Sequence, residues 1–203
     1  MTTRTGVDEK IRRLLGLPQP GGNFLTLTSL SRLFDVSLAS ARVVGNRYER
    51  KAVLKRVGPG LYANLLAKPT REELACLLGP PNYISFNYAL LRHGISTQVP
   101  AELACVTRQR SRVVDSPWGR IRYHCFQPSL FFGFTRETLH GGAHCWLAEP
   151  EKALLDQFYL GLLDGTPPDL DELDRSRLDK AKLKRYARRF PSRYSAKLEE
   201  LLG

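Results

Sequence analysis

Leu25 to Asn64 reads LTLTSLSRLFDVSLASARVVGNRYERKAVLKRVGPGLYAN, and the reading of this stretch decides the fold. It divides into a short helix, a tight turn, a longer helix and a small β-hairpin. Thr28 or Ser29 can cap the first helix, whose apolar stripe is Leu30, Leu33 and Phe34. Asp35 and Val36 form the turn, and Val36 points back into the junction. Ser37 offers its hydroxyl to the open amides of the second helix, which is expected to run to about Lys51. On that helix Ala41, Val44, Gly45 and Tyr48 face inward, while Ala39, Ser40, Arg42, Val43, Asn46, Arg47 and Arg50 face out. Val53 to Val57 and Leu61 to Ala63 read as two strands joined by Gly58-Pro59-Gly60, with Lys55 and Arg56 beside the tip. The pattern predicts a winged helix-turn-helix. A small helical bundle with a hairpin that binds only protein would show a similar pattern, and charge separates the two. Residues 37 to 56 hold six Arg or Lys against one acid, Glu49. A basic helix face beside a basic hairpin is the electrostatic footprint of a DNA-binding module.

At 203 residues the chain has room for one large or two small domains. The expected division is a winged helix-turn-helix domain over residues 1–66 and a larger mixed α/β domain over 67–203, an α+β class overall. No apolar run approaches the ~20 residues needed to span a bilayer. The amino terminus, MTTRTGVDEKIRRLLG, lacks the apolar core of a signal peptide, so a cytoplasmic protein with no membrane partner is expected. The net charge of +11 and a pI near 9.8 imply a polyanionic partner, nucleic acid first. Beyond the winged segment, Arg108 to Arg122 holds five Arg against Asp115, and Arg175 to Lys197 holds ten Lys or Arg against Asp179. Such separated clusters suit an extended contact with duplex DNA.

Cys76, Cys105, Cys125 and Cys145 are widely spaced, with no CxxC pair, and reduced thiols are expected. His124, Cys125, His140, His144 and Cys145 are the only metal-like group. Gly141-Gly142 breaks any helix that would align His140 with His144, so no metal and no cofactor are expected.

In chain order, Val7 to Leu17 reads as a first helix, and Pro18 to Asn23 as a connector. Thr70 and Glu73 form a capping box for a helix ended by Gly79-Pro80-Pro81. Ile84 to Gly94 reads as a buried helix. From Val99 to Cys125 the period becomes two: Ile121, Tyr123 and Cys125 alternate with Arg120, Arg122 and His124. An antiparallel sheet with one apolar and one basic face is therefore expected, its arginines contacting phosphate. Pro128 to Phe134 carries a cluster of core aromatics. Glu149-Pro150-Glu151 opens a helix that buries Ala153, Leu154, Phe158 and Leu162. Gly165 to Leu173 is a loop. The basic tail forms two helices split by Pro191, with Ser192 capping the second.

The order of motifs resembles one family. A hairpin with Gly58, Gly60 and Tyr62 is followed by Ser85, Ala89, Leu90, His93 and Gly94 as S-x-x-x-A-L-x-x-H-G. Then come Pro117, Gly119, Ile121 and Tyr123 as P-x-G-x-I-x-Y, and Pro128, Leu130, Phe131 and Gly133 as P-x-L-F-x-G. Last are Ala148 and Pro150 to Asp156, A-x-P-E-K-A-L-L-D. This is similar to the AbiEi family of antitoxins and autorepressors in type IV toxin–antitoxin, or abortive-infection, systems. The resemblance implies a winged helix bound to repeats in its own promoter. It also implies a second domain that counteracts a nucleotidyltransferase-like toxin and presents basic surface to DNA. Gly45 departs from the pattern, since it costs up to ~1 kcal/mol of helix propensity in the reading helix.

The expected DNA contacts are therefore Ser37, Ser40, Arg42, Val43, Asn46, Arg47, Arg50, Lys55 and Arg56, then Arg108, Arg110, Arg112, Arg120 and Arg122, then Lys184, Arg185 and Arg188. Glu151, Lys152 and Asp156 raise the question of catalysis. Glu151 and Asp156 do not share a helical face and no nucleophile accompanies them, so a local charge network at a helix start is expected, and no catalytic residue. Two other functions compete: a ligand-responsive regulator with a sensor pocket in its second domain, and an RNA- or nuclease-associated enzyme built on His124, Cys125, His144 and Cys145.

Overall fold

The computed structural model describes residues 23–139, 144–165, 172–194 and 197–198. The expected helix over residues 7–17, His140 with its glycine neighbours, and residues 166–171 of the expected loop lie outside them. The chain is mixed α+β and divides into two compact units, Met1–Leu74 with Thr138–His144, and Ala75–Glu137 with Cys145–Gly203.

The first unit opens on β1 (Phe24–Thr26), a strand that the sequence reading assigned to no element. Thr26 then caps α1 (Leu27–Phe34), its hydroxyl accepting from Ser29 N at 3.1 Å. Thr26 therefore takes the role expected of Thr28 or Ser29, because β1 brings the chain in extended, as a cap position requires. Asp35 turns the chain in the left-handed region (φ 51°), and Ser37 caps α2 (Leu38–Arg50) by accepting from Ser40 N at 3.2 Å. Strands β2 (Leu54–Gly58) and β3 (Leu61–Asn64) form the hairpin. β3 is central in the three-stranded sheet, with Leu25 and Arg56 both paired to Tyr62. Leu25, Leu30, Phe34, Ala41, Tyr48, Val53, Leu54 and Tyr62 make the core.

The division between units falls within α3 (Arg71–Leu78), beyond the expected boundary at Leu66. Two bonds from Asn23 Nδ2 to the carboxylate of Glu73, at 2.8 and 2.9 Å, hold the start of this helix to the first unit. The Thr70–Glu73 capping box forms as expected, at 3.0 and 3.3 Å.

The second unit is built on a sheet of six strands. They are β4 (Asn82–Ile84), β5 (Leu103–Thr107), β6 (Arg112–Ser116), β7 (Gly119–Cys125), β8 (Phe134–Thr138) and β9 (His144–Ala148). The order is β6-β7-β5-β4-β9-β8, and the sheet is mixed rather than antiparallel: β5 runs parallel to β7, and β4 to β9. The helix expected over 84–94 is shorter than expected, and its first residue, Ile84, belongs to a strand. Asn82 to Ile84 is a buried strand between β5 and β9, and α4 (Phe86–Arg92) begins only after Ser85. A short run that is buried at every position reads alike as strand or helix, and here the neighbouring strands decide. Phe86 enters α4 with φ 58°, so the change from strand to helix is abrupt. α5 (Pro150–Asp164) and α6 (Lys180–Ala187) complete the unit. Leu183, Phe190 and Leu198 of the tail are buried, as its apolar spacing predicts.

Candidate nucleic-acid interface

In the first unit the inward set on α2 is the expected one: Ala41, Gly45 and Tyr48 are buried and Val44 packs against the core. The remaining positions form one outer face. Leu38 is 57% and Val43 59% exposed, and Ser37, Ser40, Arg42, Arg47 and Arg50 are exposed with them. Lys55 and Arg56 are exposed on β2. Among the described residues, none of Arg42, Arg47, Arg50, Lys55 or Arg56 has an ion-pair partner. Glu49, the one acid nearby in sequence, accepts instead from Arg56 N at 3.0 Å and so ties the end of α2 to the hairpin. An outer face of unpaired cations beside small and apolar side chains can meet phosphates at its margins and base edges at its centre.

Gly45 has a packing reason that sequence did not reveal. A Cβ there would lie 2.6 Å from Cζ of Tyr62, closer than side-chain carbons approach. The glycine admits the Tyr62 ring beneath α2, and the hydroxyl donates to Oδ1 of Asn46 at 3.3 Å.

The second cluster differs from the expectation. Arg112 pairs across the sheet with Tyr123, stacks its guanidinium 4.7 Å from that ring and donates to the carbonyl of Leu78. Arg120 is bound to Asp115 at 2.8 Å, and Arg122 grips Glu102 with two bonds at 2.5 and 3.1 Å. Three of the five arginines are thus engaged by neighbours, so the expected basic face is not a set of free cations. Acids outside the run, or opposite in register, are what the sequence pattern hides. Arg108 and Arg110 are exposed in the connection between β5 and β6. Cys125, expected with Ile121 and Tyr123 on the apolar face, is exposed: the cover that ties the Tyr123 hydroxyl to Ala75 O at 2.7 Å ends before it. In the third cluster Lys184, Arg185 and Arg188 are exposed on the outer side of α6, opposite buried Leu183 and Ala187. Lys182 is occupied by Glu149 at 3.3 Å and Glu151 at 3.0 Å.

The charge network at the start of α5 is buried. Lys152 and Asp156 have no exposed side-chain surface and form an ion pair one helical turn apart. Asp156 also accepts from Tyr83 at 3.0 Å and Ser85 at 2.8 Å. The Lys152 ammonium lies 4.9 to 5.6 Å from the ring centres of Tyr83, Phe126, Phe132 and Phe190. Burial pushes the Asp156 carboxyl up and the Lys152 amine down, each opposed by the partner's charge. Glu151 is buried as well and accepts from Asp179 N at 3.0 Å, which fixes the start of α6. His93 bonds the carbonyl of Ala148 at 2.8 Å, and Gly133 (φ 69°) leaves room for Lys152, whose Cβ would be 3.1 Å from an added methyl. Three of the quoted motifs, those of Ser85 to His93, Gly133 and Ala148 to Asp156, therefore converge on one buried framework that joins β4, α4, β9 and α5. The pair ties α5 to β4 and to Ser85 at the start of α4.

His124 is half-buried against Phe86, 5.0 Å between rings, and burial and Arg122 lower its pKa. With Asn87, Glu102, Arg122 and Gln157 it lines a cavity of about 370 Å³. Among the described residues no group of three or more His, Cys, Asp or Glu is placed to hold a metal ion. None of the described helices is long and apolar enough to cross a membrane. Comparison with family models and with curated proteins gives no match.

Proposed function

We propose that this protein binds duplex DNA through a winged helix-turn-helix in its first unit, with α2 as the reading helix and β2–β3 as the wing. The observation that carries the reading is the outer face of α2 and β2, where Arg42, Arg47, Arg50, Lys55 and Arg56 stand exposed and unpaired among the described residues. The strand before α1, paired to the hairpin, supports the same topology. With the motif resemblance, the proposal extends to an antitoxin that represses its own operon and counteracts a nucleotidyltransferase-like toxin through its second unit. In this reading Arg42, Arg47, Arg50, Lys55 and Arg56 meet phosphates, and Ser40, Val43 and Asn46 meet bases. Arg108, Arg110, Lys184, Arg185 and Arg188 offer further cationic surface to DNA or toxin. The test compares the full chain with Arg47→Ala and Asn46→Ala on the promoter of its own operon and on random duplex. Arg47→Ala weakens both alike and Asn46→Ala weakens the promoter alone. Equal losses on both DNAs for Asn46→Ala remove it from base reading. Restored growth on co-expression with the toxin tests the second unit.

The cavity beside His124 favours one other reading, a regulator whose second unit senses a small molecule. A change in DNA affinity with an added metabolite pool, abolished by filling the cavity through Ala104→Phe at another lining residue, supports that reading against the antitoxin.

A further inference from the structure

The hairpin tyrosine, Tyr62, belongs to the Gly-x-Gly-x-Tyr motif, and contact with DNA gives it no role, because it is 1% exposed. Its backbone is held on both sides, by Leu25 of β1 and Arg56 of β2. Its ring runs beneath α2 only because residue 45 has no Cβ. At the end of this path the hydroxyl meets Asn46, a half-buried residue one turn from exposed Val43 and beside exposed Arg47.

The bond has a direction. The Tyr62 hydroxyl donates to Oδ1 of Asn46 at 3.3 Å, taking one of that oxygen's two lone pairs and holding the plane of the amide. Among the described residues no hydrogen bond occupies the Asn46 NH₂, so both its hydrogens remain for another partner. A free asparagine reads adenine with both ends, donating to N7 and accepting from the N6 amine. With one of its two lone pairs taken by Tyr62, the oxygen competes less well for the adenine amine, while both amide hydrogens remain for acceptors; in the major groove two neighbouring acceptors, O6 and N7, belong to guanine. We infer that Tyr62 is a specificity-positioning residue: it fixes the Asn46 amide so that α2 selects guanine over adenine at one position of its site. Gly45 is the opening that permits it. This rests on the DNA-binding reading above.

The test is selection by the full chain from a pool of duplexes with a randomised core, using wild type, Tyr62→Phe and Asn46→Asp. Wild type enriches a motif with guanine at one position, preferred over adenine by about 10-fold or more, the size of one good base contact. Tyr62→Phe keeps the ring and frees the amide, so it enriches the same motif with that preference below 3-fold, while affinity for random duplex and the thermal midpoint stay unchanged. Asn46→Asp keeps an oxygen for Tyr62 and presents an acceptor outward, so the preference moves to cytosine, whose N4 donates. Identical motifs from wild type and Tyr62→Phe overturn the positioning role and leave DNA binding intact. Adenine at every position of the wild-type motif facing the Asn46→Asp change overturns it too. Failure of wild type to retain any duplex overturns the DNA-binding reading and this inference with it.

Discussion

Replacing Asp156 by Asn tests the buried framework at its centre. The substitution keeps size and keeps an oxygen for the Tyr83 and Ser85 hydroxyls, which donate at 3.0 and 2.8 Å, so what it removes is the charge facing Lys152. The ammonium is then left with no exposed surface and no carboxylate, between aromatic rings 4.9 to 5.6 Å away. Breaking a buried pair from one side costs about 3–5 kcal/mol, whereas removing both charges is close to neutral. Asp156→Asn at pH 7 is expected to lose about 3–5 kcal/mol, and Lys152→Met with Asp156→Asn to fall within ~1 kcal/mol of wild type. The assay is urea unfolding followed by the fluorescence of Trp118 and Trp146. The single variant also carries a pH signature. Burial holds the Lys152 amine below its usual 10.5, and loss of Asp156 removes the charge that opposed the fall. Between the folded value and 10.5 the unfolded chain binds the extra proton, so stability rises with pH in that window, by at most about 1.4 kcal/mol per unit. A single variant within ~1 kcal/mol of wild type, or a double variant as unstable as the single, refutes the reasoning.

Two smaller changes test the first unit. Gly45→Ala gains up to ~1 kcal/mol of helix propensity, but its methyl must displace the Tyr62 ring from 2.6 Å, an overpacking cost of about 1–3 kcal/mol, so thermal melting is expected at a lower temperature than wild type. A higher midpoint contradicts the close approach. Ser37→Ala removes the acceptor for Ser40 N at 3.2 Å and is expected to cost about 0.5–2 kcal/mol in urea unfolding, with Ser37→Asp close to wild type.

Local signals carried most of the first unit. Ser37 and its spacing to the inward set on α2, the turn at Asp35 and the hairpin are all matters of a few neighbouring residues, and the structure has them close to where the pattern puts them, with Gly58 drawn into β2 so that only Pro59-Gly60 forms the tip. What escaped depends on residues far apart in sequence. β1 is three residues long and is a strand only because β3 pairs with it. Ile84 reads as helix until β5 and β9 are beside it. The burial of the Lys152–Asp156 pair is not legible, because sequence does not show Ser85 and Tyr83, 71 and 73 positions from Asp156, or the aromatic rings around the ammonium. Arg122 looks free until Glu102, on the approach to a parallel neighbour strand, closes on it. Gly45 looks like a defect until Tyr62 fills the space.

The salt dependence of binding by the full chain to a random duplex of about two helical turns tests the central claim most directly. Each phosphate met by a cation contributes about −0.9 to the slope of log affinity against log salt. With Arg42, Arg47, Arg50, Lys55 and Arg56 engaged, the slope is expected at about −4 to −5, and Arg47→Ala makes it shallower by about 0.9. A slope shallower than about −1, or one that Arg47→Ala leaves unchanged, contradicts a DNA-binding face on α2 and the hairpin.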